Sequence, residues 1–154
     1  MTTSSSSVVG GWRSPRDAEH DFRDAVALLG HRVAVASTHV VPGREPGSRQ
    51  IAVHASDRTD DLSEGARAFV YPGVDGLRGR MRVSDLLGRS AIDAVEGLAG
   101  TEVGADAAID TLDFVRPVLR DGRLVLQVAP AADATGPYLV PAEVPNPTPC
   151  CAEH

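Results

Sequence analysis

The residues best equipped for chemistry in this chain stand together, as Pro149-Cys150-Cys151-Ala152-Glu153-His154. The two cysteines are the only ones among its 154 residues. Two thiols, an imidazole, the Glu153 carboxylate and a terminal carboxylate suit a soft or borderline cation. Cys150, Cys151 and His154 are therefore the candidate metal ligands, with zinc, copper(I) or another thiophile as the bound species. Zinc sites usually separate their cysteines by about two to four residues. Adjacent cysteines strain a shared tetrahedral site and call for a fourth ligand from the body or from a second chain. A disulfide between them is geometrically poor. Neighbouring Cα atoms lie about 3.8 Å apart, short of the usual disulfide separation, so a dithiol is expected.

The vicinal pair resembles the closing cysteines of mercuric reductases, and Cys151-Ala152-Glu153-His154 is similar to the terminal Cys-x-x-His of nickel–iron hydrogenase large subunits. The first pattern also needs a flavin and nucleotide domain, which a chain of this length does not hold. The second needs two residues between its cysteines, and here there are none. Neither function is carried over. Three readings of the tail follow from the residues. In the first, a small accessory protein binds a soft metal through it. In the second, a folded carrier or leader presents it to a partner enzyme for recognition or modification. In the third, a cysteine acts as an enzymatic nucleophile, which a loosely held tail would preorganise badly. Another protein is the expected partner, engaged through the tail.

Composition excludes several chemistries. All 15 basic side chains are arginine, so no lysine can form a Schiff base, anchor pyridoxal phosphate or serve a phosphate loop. No dinucleotide glycine fingerprint, Gly-x-Ser-x-Gly elbow or His-Glu-x-x-His motif is present, so no nucleotide or flavin cofactor is expected. A net charge of -6 and 4% aromatic residues argue against nucleic acid as a partner. Met1 to Val9 is a Thr/Ser run without a basic or apolar region, so no secretory signal is expected there. No run is long enough for a membrane span, and a cytoplasmic protein with reduced thiols is the expectation.

The elements that must position this chemistry read as one α+β domain over 14–130. It follows a structureless segment 1–13 and precedes a Pro-rich tail, 131–154. Ser14, Pro15 and Asp17 signal a helix start, and Ala18, Phe22, Ala25, Val26 and Leu29 make one apolar stripe. Residues 32–41 and 50–55 alternate and predict a hairpin across a turn-rich loop. Residues 66–71 predict a short strand ended by Pro72-Gly73. Residues 77–83 are an edge strand or a loop. Ser84 and Ser90 read as helix caps, with Ile92, Val95, Leu98 and Ala99 on the apolar face of a central helical segment around 84–99. Arg120-Asp121-Gly122-Arg123 predicts a second hairpin through a tight Asp-Gly turn, with 112–119 as a sheet edge because of Pro117. Pro141, Pro145, Pro147 and Pro149 predict an extended, semi-rigid tail.

Three further groups have blander readings. Matching the apolar faces of the first hairpin points His39 and His54 to opposite sides of the sheet. Arg78, Arg80 and Arg82 read as the solvated face of an edge strand. Glu102, Asp106, Asp110 and Asp113 read as a solvated helix face, since no calcium-loop spacing is present.

Overall fold

The computed structural model describes residues 6–29 and 33–144, with the backbone alone for 6–10 and 24–29. Cys150, Cys151 and His154 lie outside the described residues, as does His31. The chain runs β1 (Ser6–Trp12), α1 (Pro15–Leu29), β2 (Val35–Pro42), β3 (Arg49–Ser56), β4 (Arg67–Val70), β5 (Arg80–Arg82), α2 (Val83–Arg89), β6 (Ala94–Gly97), β7 (Ala108–Asp110), β8 (Val118–Arg120), β9 (Arg123–Asp133) and β10 (Gly136–Pro141).

This is a ten-stranded mixed sheet, in the order β1-β3-β2-β4-β8-β9-β10-β7-β5 with β6 beside β9. It corrects the α+β expectation of an N-terminal helix, two hairpins and a central helical segment. The first element is a strand, drawn from the segment expected to lack structure. Its Ser/Val run pairs antiparallel with β3, Ser6 opposite Ser56 and Val9 opposite Val53. The central helix stops at Arg89. Ser90 does not start a new helix; its hydroxyl donates to the Leu86 carbonyl at 2.8 Å and closes α2. Asp93 is equally diverted from capping. Its carboxylate accepts from the Leu124 amide at 2.8 Å, and its own amide donates to the Leu124 carbonyl at 2.8 Å. That reciprocal pair docks 94–97 as a strand parallel to β9.

The Pro-rich tail also begins later than 131, because Gly136–Pro141 returns along β9, Pro141 opposite Val128 and Gly136 opposite Asp133. Pro137 and Pro141 sit at the two ends of that strand, where a missing amide costs least.

The two predicted hairpins form. Pro42 pairs with Arg49 across the first. The second turns at Asp121 and Gly122, both at positive φ (51 and 76), which matches the type I′ turn that strand twist favours. Yet β8 is not an edge. The Pro117 carbonyl accepts from the Ala68 amide at 2.9 Å, and the Leu119 amide donates to Ala66 at 2.8 Å, so β4 occupies the side where proline lacks a donor. Residues of β9 show how the sheet is laid out. Val125 pairs with Val118 and Ala94, and Val128 pairs with Pro141 and Gly97. Thus β6 lies along one side of β9, while β8 and β10 lie end to end along the other.

Two apolar clusters hold the sheet. Val35, Leu77, Leu86, Ile109, Val115, Leu126 and Val128 belong to the larger. Ala18 and Phe22 of α1 cover Ala36, Val53, Ala55 and Phe69 in the smaller, with Phe22 edge-on to Phe69 at 6.0 Å. Among the described residues no helix is long and apolar enough to cross a membrane.

Leu126 is 2% exposed, and Leu126→Ala should cost about 2–5 kcal/mol in urea unfolding by leaving a cavity. Gly73, at φ 88, would bring a Cβ to 2.0 Å from the Arg89 carbonyl oxygen. Gly73→Ala should therefore destabilise the fold although it adds a single methyl group, and the same denaturation curves check it.

Candidate functional site

Where the N-terminal end of α1 crosses the sheet, four charged side chains of alternating sign form a chain. Arg116 from the segment before β8 grips Glu19 of α1 through both carboxylate oxygens, Nε at 3.0 and 3.1 Å and Nη2 at 2.9 Å. Arg67 of β4 donates Nη1 to the same carboxylate and to the Thr38 hydroxyl. Its Nε and Nη2 then form a two-pronged contact with Glu143, just beyond β10. Local structure aims each residue. The Ser14 hydroxyl accepts from the Asp17 amide at 3.1 Å, capping α1 so that Ala18, Glu19 and Phe22 face the sheet. Alternation along β4 puts Arg67 on the face opposite Ala68.

Arg116 is set by a tight turn. Leu112 and Asp113 both take positive φ (52 and 53), which costs roughly 1–2 kcal/mol for a residue with a Cβ. The Thr111 hydroxyl donates to the Gly79 carbonyl at 3.0 Å, and the Asp113 carboxylate accepts from the Gly79 amide at 2.9 Å, which holds the turn in place. The turn presents the Phe114 ring, and the guanidinium of Arg116 lies 4.1 Å from its centroid. Buried Tyr71 donates its hydroxyl to the Val115 carbonyl at 2.9 Å. Burial pushes the Tyr71 hydroxyl well above its ordinary pKa, so it stays a donor.

Burial divides the chain of charges into a fixed end and an open end. The side chains of Arg116 and Glu19 are 5% and 8% exposed, whereas Glu143 is 45% exposed. Burial works against the charge of Arg67, but its bonds to Glu143 and Glu19 outweigh that and raise its pKa above the ordinary value. Every buried side-chain nitrogen and oxygen among the described residues has a partner. Beside the open end lies a cleft of about 590 Å³, whose walls include His20, Arg23, Arg67, Phe114, Glu143 and Val144.

A second polar group sits on the first hairpin. Ser37 pairs with His54, and His39 with Ala52, so His39 and His54 share a face and their rings lie 6.5 Å apart. This overturns the parity argument, which assumed that Val35 and Val53 face the same core. Val35 belongs to the larger cluster and Val53 to the smaller, because β2 is buried on both faces. The Ser37 hydroxyl lies 2.9 Å from His39 Nε2. The Ser56 hydroxyl donates to Asp61 at 2.8 Å, and that carboxylate lies 3.9 Å from His54 Nε2. Burial, and then the neighbouring His54, hold His39 below its ordinary pKa. Among the described residues no group of three or more histidine, cysteine or acidic side chains could hold a metal ion.

The arginine trio is exposed and paired: Arg80 with Asp110 and Asp133, Arg82 near Asp106 at 3.9 Å, and Arg78 with the Asp75 carbonyl. A hydrogen bond from Thr135, reinforced by Arg80, holds Asp133 down to about 2. The acidic stretch is not a helix face, since Asp110 ends β7 and Asp113 lies in the turn before Phe114. The Glu19 cluster had no motif signature. Glu19 and Arg116 alone are 97 residues apart in sequence, and the one available hint was Glu19 falling next to Ala18 on the apolar stripe of α1.

Glu19→Gln should cost about 3–5 kcal/mol, because it leaves two arginines facing a neutral amide in a buried site. Glu143→Gln should stay within about 1 kcal/mol, since its pair is half in water. Urea unfolding of the two variants checks the contrast. The neutral form of His39 is favoured in the fold, so its share of stability is complete above the ordinary value of 6.5 and is lost as pH falls through the lower folded value. Between pH 7.5 and pH 5, roughly spanning that titration, the thermal midpoint should therefore fall less in His39→Gln than in the parent chain.

Comparison with protein-family models, with curated proteins and with solved structures finds no match to this chain, so the functional reading rests on its own residues.

Proposed function

We propose that the protein is a small cytoplasmic accessory protein that binds a soft metal ion through Cys150, Cys151 and His154, with the folded body supplying the remaining ligand. The observation that carries this reading is that Val144 and His20 of α1 line the same cleft, with the His20 side chain 81% exposed. Six residues separate Val144 from Cys150, counting the cysteine, and an extended chain of that length spans about 20 Å. The cysteines are thus within reach of His20. Two thiolates and two imidazoles make a Cys₂His₂ ligand set, which suits zinc, and they supply the fourth ligand that an adjacent cysteine pair calls for. His20 Nδ1 approaches the Asp21 carboxylate at 3.7 Å. A carboxylate at the second nitrogen orients a ligating imidazole.

Isothermal calorimetry of the reduced chain with zinc tests the reading. Binding should release protons, since thiolates and not thiols are the ligands. Deletion of 149–154 should abolish it, and His20→Ala should weaken it by about a hundredfold, one ligand's share of a structural zinc site. Unchanged affinity after the deletion would overturn the proposal, and unchanged affinity in His20→Ala would remove the body from the site.

A further inference from the structure

We propose that the cleft beside Arg67 binds a small organic carboxylate, which takes the place that Glu143 occupies on the Arg67 guanidinium. The inference goes beyond the metal reading and does not use the cysteines. Arg67 has two faces with different tenants. Its Nη1 is committed to Glu19, whose side chain is 8% exposed and also held by Arg116. Its Nε and Nη2 edge carries Glu143, which is 45% exposed and makes no other hydrogen bond or ion pair among the described residues. The edge of a guanidinium formed by Nε and Nη2 can receive a carboxylate in two parallel bonds. Glu143 therefore marks a carboxylate position built into the wall of the cleft and filled by an exchangeable side chain.

The backbone permits the exchange. Among the described residues the last sheet contact is the Ala142 amide on the Gln127 carbonyl at 2.9 Å. Glu143 follows it and lies outside β10. Its side chain can swing into water without breaking a ladder bond. Once it has swung away, the cleft holds Arg23, Arg67 and Arg116 against Glu19 and Asp113. The site is then short of negative charge in a chain whose net charge is -6. Arg23 is exposed and makes no ion pair or hydrogen bond among the described residues, so its guanidinium can turn to the incoming anion. Phe114 gives the cleft an apolar wall beside these cations, and its volume of about 590 Å³ suits a small ligand. That combination selects a carboxylate carrying an apolar body over a fully hydrated inorganic anion, which gains nothing from the ring.

The test is a titration of the full-length, metal-free chain with benzoate, and separately with inorganic phosphate, followed by calorimetry and by the NMR signal of the Arg67 Nε proton. Benzoate should bind saturably and shift that proton. Glu143→Gln should tighten benzoate binding by about fivefold, the scale of one partly exposed ion pair released as competitor. Arg23→Gln, an exposed substitution that leaves the Glu19 cluster intact, should weaken it by a similar factor. Benzoate affinity unchanged in Glu143→Gln would overturn the proposal. So would equal binding of phosphate with the same proton shift, which would mean general attraction to positive charge. Because metal is absent throughout, failure here leaves the zinc reading untouched, and failure of zinc binding leaves this one untouched.

Discussion

The carboxylate of Glu19 is the interaction on which the rest of this structure depends. A buried carboxylate is expensive unless it is paired and fully hydrogen-bonded, and Glu19 meets both conditions by drawing in Arg67 and Arg116. In doing so it ties α1 to two neighbouring segments of the sheet, strand β4 and the stretch leading into β8. The apolar contacts of Phe22 on Phe69 press the helix onto the sheet. Hydrophobic contact has no direction, however. The bidentate bonds to Arg116 fix where along the sheet the helix sits, and so where the cleft opens.

The same constraint shapes the chemistry of the cleft. Arg67 cannot leave, because Glu19 and Thr38 hold one side of its guanidinium. Arg116 cannot leave, because it lies on Phe114 and donates to the Val115 carbonyl at 3.1 Å. The outer pair with Glu143, whose side chain is 45% exposed, is the one that water reaches. A fixed cation with an exchangeable partner is a binding arrangement. The exposed imidazole of His20 lines the same cleft.

Much of the sheet was legible in the sequence, and the part that was not has a physical cause. The hairpins at 42–49 and 120–123 were readable because their turn residues fix local geometry, Asp121 and Gly122 through positive φ. Strands β6, β7 and β10 were hidden because short segments show too little periodicity, and because long-range pairing decided them: Asp93 with Leu124, Ile109 with Met81 and Leu139. Proline misled twice. Pro117 suggested a sheet edge, and the Pro-rich stretch from 131 suggested a tail, yet Pro117 pairs through its carbonyl and Gly136–Pro141 pairs along β9. The histidine pair was misassigned because β2 is buried on both faces, which defeats any argument from one apolar side. The Glu19 cluster was invisible since its residues meet only in three dimensions. The cysteine segment, the clearest chemical signal in the sequence, lies outside the described residues.

Native-state hydrogen exchange of the Glu19→Gln chain tests the central claim most directly. If Glu19 fixes the helix on the sheet, amide protection in α1 should collapse over residues 18–23, while β2 and β3 keep the protection of the parent chain. Protection in α1 equal to that of the parent chain would contradict the account, because the helix would then be held by its apolar face alone and the cleft would owe nothing to the buried charge.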